Sequence, residues 1–148
     1  AGETLSAGDG EYRWRLYPDP TGKHLAYDDK QGRLWLLDLK TRRSVEIDHS
    51  EHGRDDVYES VVWSPDGRYL AVVRPDSTRL IPQLLLLDVA QAGRVVLTRD
   101  RYESFDPAFS RDGRWLYFLS NRNFQTMPGG PWGDRNTGPG YDQRTRIY

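Results

Sequence analysis

Trp63-Ser64-Pro65-Asp66-Gly67-Arg68-Tyr69-Leu70-Ala71-Val72-Val73 decides how the rest of the chain reads. Pro65 presets φ at the first corner of a turn, Asp66 can bond back to its own backbone, and Gly67 takes the positive φ that ends such a turn. After the turn, Arg68 to Val73 fills with aromatic and β-branched residues, which suits a strand. Alone, this is a tight β-hairpin. It recurs, however. Ser110-Arg111-Asp112-Gly113-Arg114-Trp115-Leu116-Tyr117-Phe118 repeats it, and Pro20-Thr21-Gly22-Lys23-His24-Leu25-Ala26-Tyr27 is a looser copy. Gly22, Gly67 and Gly113 lie 45 and 46 residues apart, a period that denotes an array of supersecondary units. The first turn, Asp19-Pro20-Thr21-Gly22, departs from the motif and leaves its register open by one residue.

Outward from these turns, each unit predicts the same order of strands. In the first, strands fall at Tyr12–Leu16, His24–Tyr27, Arg33–Leu37 and Ser44–Ile47. In the second they fall at Ser60–Trp63, Arg68–Val73, Gln83–Leu87 and Arg94–Leu97. The third has Phe105–Phe109, Arg114–Leu119 and Thr145–Tyr148, with a segment rich in Gly, Pro, Asn and Arg between the last two. The run Leu84-Leu85-Leu86-Leu87 is apolar on both faces, as a strand between two neighbouring sheets must be. Pro82 and Asp88 leave too little length for the competing buried helix.

Four-stranded antiparallel sheets of this period predict an all-β chain built from β-propeller blades. The expected blades span residues 12–49, 57–100 and 101–148, the last incomplete and carrying a long insertion at 120–144. Residues 1–11, with a short strand at Glu3-Thr4-Leu5, would supply an outer strand to a neighbouring blade. Propellers close with about 4–8 blades, so three blades need further blades of the same protein or a second copy. Uncovered, the outer blades would expose apolar faces. Two copies would make a six-bladed ring.

Composition narrows the function classes. The chain has 148 residues, 29 % charged and 36 % hydrophobic, with net charge −1. No basic excess points to nucleic acid or an anionic membrane. No apolar run approaches the roughly 20 residues that span a bilayer. Cysteine is absent, which excludes disulfides and thiolate metal sites.

The repeated Ser-Pro-Asp-Gly-Arg-Tyr-Leu-Ala pattern resembles the WD-like propeller repeats of the tricorn protease, the periplasmic Tol-system propeller and the prolyl oligopeptidase group. The stretch from Ser104 through Leu116-Tyr117-Phe118-Leu119-Ser120-Asn121-Arg122 to Phe124 resembles the end of the second propeller of tricorn-type proteases, where a long insertion precedes a final strand. Thr145-Arg146-Ile147-Tyr148 stands where that strand would lie. The resemblance implies the non-catalytic propeller portion of a cytoplasmic serine protease, a scaffold and gate for oligopeptides. It carries over no catalytic residue, because the protease domains have no counterpart here. The alternatives are an assembly module, natural or engineered, that self-associates, and a periplasmic Tol-type propeller.

Candidate sites are few. The insertion carries Arg122, Trp132, Arg135 and Tyr141, residue types favoured in recognition, and is the candidate binding element. Its ordinary alternative is a mobile insertion or a domain interface without substrate contact. His49, Glu51 and His52, near Asp48, Asp55 and Asp56, have ligand types a metal site uses, but a solvated connection between blades is the preferred account, and no metal or cofactor is expected. Ser64 and Ser110 sit in turns rather than in a nucleophile elbow. Asp38 and Asp88 each follow a third strand, where a carboxylate commonly caps a turn. Arg13 and Arg15 flank Trp14 and are expected on a solvent-facing strand edge, with cation–π stacking or a peptide-carboxylate contact as the sharper alternative.

Overall fold

The computed structural model describes residues 4–5, 12–51, 57–99, 101–126 and 141–148. Three antiparallel sheets follow one another along the chain. The first contains β1 (Arg13–Pro18), β2 (His24–Asp29), β3 (Arg33–Asp38) and β4 (Ser44–His49), hydrogen-bonded in that order. The second contains β5 (Ser60–Trp63), β6 (Tyr69–Pro75), β7 (Pro82–Asp88) and β8 (Gly93–Val96), also in order. The third has β9 (Ser104–Phe109), β10 (Leu116–Thr126) and β11 (Tyr141–Ile147), with β10 central. No helix is assigned among the described residues, and so none is long and apolar enough to cross a membrane.

The three turns superpose in their hydrogen bonding. Gly22, Gly67 and Gly113 donate to the carbonyls of Asp19, Ser64 and Ser110 at 2.9–3.0 Å, each glycine at φ 70–73°. This settles the first turn: Asp19 stands where Ser64 and Ser110 stand. Its carboxylate does what their hydroxyls do, accepting a backbone N–H at or just before the start of the second strand. The bonds are His24 to Asp19 Oδ2 at 3.2 Å, Tyr69 to Ser64 Oγ at 2.8 Å and Trp115 to Ser110 Oγ at 3.0 Å. Neighbouring turns also touch. A Cβ on Gly67 would run into the Asp19 carboxylate, and one on Gly113 would meet Pro65 Cδ at 3.7 Å.

Two apolar layers hold the sheets face to face. Between the first and second lie Ala26, Leu34, Val57, Tyr58, Leu70, Val72 and Leu87. Between the second and third, Ala71, Val73 and Leu84 pack against Phe105, Phe109, Leu116 and Phe118. β6 therefore sends alternate residues to opposite neighbours, as period-2 geometry requires, and its residues 70–73 are wholly buried. Leu84, Leu85 and Leu87 are buried as a sandwiched strand demands. At roughly 1.5–3 kcal/mol per buried aliphatic side chain, these layers are the main term holding the sheets together. β5 abuts both β1 and β9, so the first strands of the three sheets run side by side.

The outer faces of the first and third sheets carry exposed apolar side chains. Trp14 and Leu16 are 50 % and 62 % exposed on one, and Trp115 and Ile147 are 63 % and 75 % exposed on the other.

Two expectations are corrected. Thr4 and Leu5 lie in no strand, and the remainder of 1–11 before Tyr12 is outside the described residues. The segment 120–144 is not structureless at its ends: β10 runs on to Thr126 and β11 begins at Tyr141, paired from Leu119↔Ile147 to Thr126↔Tyr141. Ladder hydrogen bonds, with Thr145 Oγ1 to Asn121 Oδ1 and Asn123 Nδ2 to the Tyr148 hydroxyl, both 2.6 Å, hold this arm together without an apolar alternation.

Candidate functional site

Polar side chains gather at the two junctions between sheets, on the side away from the Ser-Pro-Asp-Gly turns. At the first junction the centre is Asp48 on β4, whose side chain is fully buried. It accepts Arg74 Nε at 2.6 Å and Arg94 Nη1 at 2.9 Å, both from the second sheet. The Tyr58 hydroxyl lies 3.1 Å from Asp48 Oδ2 and 3.2 Å from the Gly32 carbonyl. Burial, then the neighbouring Asp48 charge, push that hydroxyl well above its ordinary pKa, so it stays a neutral donor. Charge-assisted bonds of this length are strong, and here they cross from one sheet to the next.

The second junction is built differently. The position of Arg74 is taken by Ser120, 46 residues on, the same interval that separates the turn glycines. A cavity of about 370 Å³ opens there, lined by Leu97, Thr98, Arg99, Arg101, Tyr102, Ser104, Ser120 and Arg122. Thr98, Ser104 and Ser120 are buried. Ser104 Oγ bonds Ser120 Oγ at 3.3 Å, and Ser120 Oγ also donates to the Glu103 carbonyl at 2.9 Å. Arg122 Nε donates to Ser120 Oγ at 3.3 Å, while its guanidinium carbon sits 4.1 Å from the Tyr148 ring centroid and 5.3 Å from that of Phe118. Aromatic stacking fixes the guanidinium plane and leaves its edge for other acceptors.

Of the expected binding residues, Arg122 lines this cavity. Tyr141 pairs with Thr126 at the far end of the arm through the backbone. Trp132 and Arg135 lie outside the described residues. In the connection at 48–56, Asp48 is committed to the arginines, His49 Nδ1 is 3.9 Å from Glu46 Oε1, and His52, Asp55 and Asp56 lie outside the described residues. Asp38 and Asp88 cap turns, accepting from Lys40 and Thr41 and from Ala90 and Gln91. Ser64 and Ser110 donate to Asp66 and Asp112 within their turns. Arg13 and Arg15 depart from expectation. A bulge between Arg13 and Leu16 turns them to opposite faces of the sheet: Arg13 lies over the Tyr27 ring at 5.3 Å on the outer face, the cation–π contact, and Arg15 Nη1 reaches the Tyr58 carbonyl at 2.7 Å on the inner one. The Arg74–Asp48–Arg94 centre escaped sequence reasoning. The repeat interval was the one available signal, since an Arg stands where the next unit has Ser.

No family model matches the chain. It is 33 % identical over 110 residues to the putative tricorn-like protease C-terminal subunit of Sulfurisphaera tokodaii, covering 74 % of this chain and 12 % of that protein. It is also 33 % identical over 123 residues to tricorn protease homolog 1 of Streptomyces coelicolor, covering 83 % of this chain and 11 % of that protein. The kinship is with the tricorn proteases. The crystal structure of the tricorn protease superposes with a TM-score of 0.72 at 18 % identity, over 91 % of this chain and 13 % of that one, which shows a shared fold. The chain thus spans about one eighth of the length of the tricorn-type relatives it matches.

Proposed function

We propose that this chain is a non-catalytic propeller portion of a tricorn-like serine protease, corresponding to the end of its second propeller, where it acts as scaffold and gate for oligopeptides in the cytoplasm. The observation that carries this is the sequence match to tricorn-type proteases over three quarters or more of the chain, together with the small share of those proteins it covers. Both relatives are tricorn-type, which ranks this reading above a Tol-type propeller. The exposed apolar side chains on the end faces, Trp14 and Leu16 on one and Trp115 and Ile147 on the other, fit sheets meant to be flanked by further blades. A ring of such sheets gates by geometry: a tunnel along the first strands, here β1, β5 and β9, admits an extended peptide and excludes a folded chain.

The test is the intact parent protein assayed on fluorogenic peptides of graded length and on a folded protein, beside the isolated chain. Turnover of peptides by the parent alone, with the folded protein left uncut, is the expected result. Hydrolysis by the isolated chain, or equal cutting of folded protein and peptide, refutes the reading.

The end faces also support a second reading, closure of a six-bladed ring by two copies of this chain. A sedimentation mass of one chain at micromolar concentration removes it.

A further inference from the structure

We propose that the cavity at the junction of the second and third sheets is a binding site for a small di- or tricarboxylate. The two junctions differ in charge balance. At the first, the chain supplies both halves of an ionic centre: the Asp48 carboxylate and the guanidinium groups of Arg74 and Arg94. At the second, three arginines, Arg99, Arg101 and Arg122, line the cavity, and among the described residues no acidic side chain lines it. Among the described residues no ion pair neutralises any of the three. Glu103 is adjacent in sequence, yet its carboxylate accepts from Asn121 Nδ2 at 2.8 Å and is not part of the lining.

The floor suits an oxyanion as well. Thr98, Ser104 and Ser120 bring three buried hydroxyls to one place. The Ser104 and Ser120 hydroxyls bond each other and the Glu103 carbonyl, while Thr98 Oγ1, which accepts the Leu84 amide at 2.9 Å, keeps its proton for a ligand oxygen. Arg122 is held flat by Tyr148 and Phe118, so its forked N–H edge is oriented before any ligand arrives. Arg99 and Arg101 are exposed and stand at the rim. A volume of about 370 Å³ is at the small end of ligand pockets and fits a molecule of succinate or citrate size. Carboxylate is preferred over phosphate by the example of the first junction, where the group between the sheets is a carboxylate held by arginines. This inference stands on the cavity itself and does not depend on the protease reading.

The full 148-residue chain is titrated at low salt with succinate, citrate and inorganic phosphate. Binding is read from the amide shifts of Ser104 and Ser120 and the Nε–H of Arg122. Both carboxylates are expected to give saturable shifts confined to the cavity, weakened by added salt. Arg122→Gln should weaken them about tenfold or more. Arg99→Gln combined with Arg101→Gln, on the exposed rim, should weaken them similarly and serves if loss of the stacked arginine unsettles the third sheet. The proposal is overturned by the absence of saturable shifts with either carboxylate. It is equally overturned by affinities unchanged in the folded variants, or by phosphate binding more tightly than both acids.

Discussion

Replacing Asp48 by Ala should cost about 3–5 kcal/mol of stability, the range for breaking a buried pair and leaving its partner charged. The magnitude follows from what stays behind. Arg74 has a side chain only 12 % exposed and would lose both contacts to the carboxylate, Nε at 2.6 Å and Nη2 at 3.3 Å. The Tyr58 hydroxyl would keep the Gly32 carbonyl alone. Arg94, with a side chain 52 % exposed, can turn to water instead. Arg94→Ala should therefore cost no more than about 1 kcal/mol, like other half-exposed pairs. Urea unfolding followed by tryptophan fluorescence measures both. With an m-value of roughly 1–3 kcal/mol per molar, Asp48→Ala should move the midpoint by at least about 1 M. If Asp48→Ala and Arg94→Ala cost the same, or if Asp48→Ala costs under about 1 kcal/mol, the cluster does not hold the first two sheets together and the reasoning fails.

Further outcomes follow from the turns and the buried acids. Gly22→Ala meets open space and should cost only about 1 kcal/mol of left-handed strain, whereas Gly67→Ala must also displace the Asp19 carboxylate and should cost roughly 1–3 kcal/mol more; equal thermal shifts would refute the turn-to-turn contact. Burial raises the Asp28 pKa more than its hydrogen bond from the Arg15 amide lowers it, so the protonated form is favoured in the folded chain and stability falls as pH rises from the ordinary carboxylate value through the raised one. Asp28→Asn should accordingly stabilise the chain at pH 7, with the gain vanishing in acid; a gain that persists in acid would contradict the assignment. For Asp19, burial works upward, but hydrogen bonds from Thr21, Lys23 and His24 outweigh it and hold the pKa low, so the stability it lends at neutral pH is lost as pH falls through that lowered value. Asp19→Asn should flatten the acid limb of the stability profile, and an unchanged limb would count against it. Replacing residues 127–140 by Asn-Gly joins the Thr126↔Tyr141 pair through a two-residue hairpin and should leave the three sheets intact by circular dichroism, while slowing peptide turnover in the parent protein. Unchanged turnover would remove that segment from the gate.

The strands were legible because each is bounded by a Pro, Asp or Gly turn whose chemistry acts over four residues. The Leu84–Leu87 run was legible because alternation fails where both faces are buried. The looser first turn resolved only in three dimensions, since a carboxylate at position 19 does the work of a serine hydroxyl. The polar arm of β10 and β11 was misread for a physical reason. Asn121, Arg122 and Asn123 gain their order from a partner strand more than twenty residues away rather than from burying a face. The Asp48 centre joins residues 26 and 46 positions apart, and the stacking of Arg122 on Tyr148 spans 26, distances over which a local pattern carries no signal.

The alternation along β6 sets a limit on how this chain can change. Leu70 and Val72 belong to one layer, while Ala71 and Val73 belong to the other. Inserting or deleting a single amino acid there would hand each layer the side chains cut for its opposite, mismatching both at once. Length variation in a descendant of this chain is therefore confined to the connections, and the middle strand can be repainted residue by residue but never re-phased.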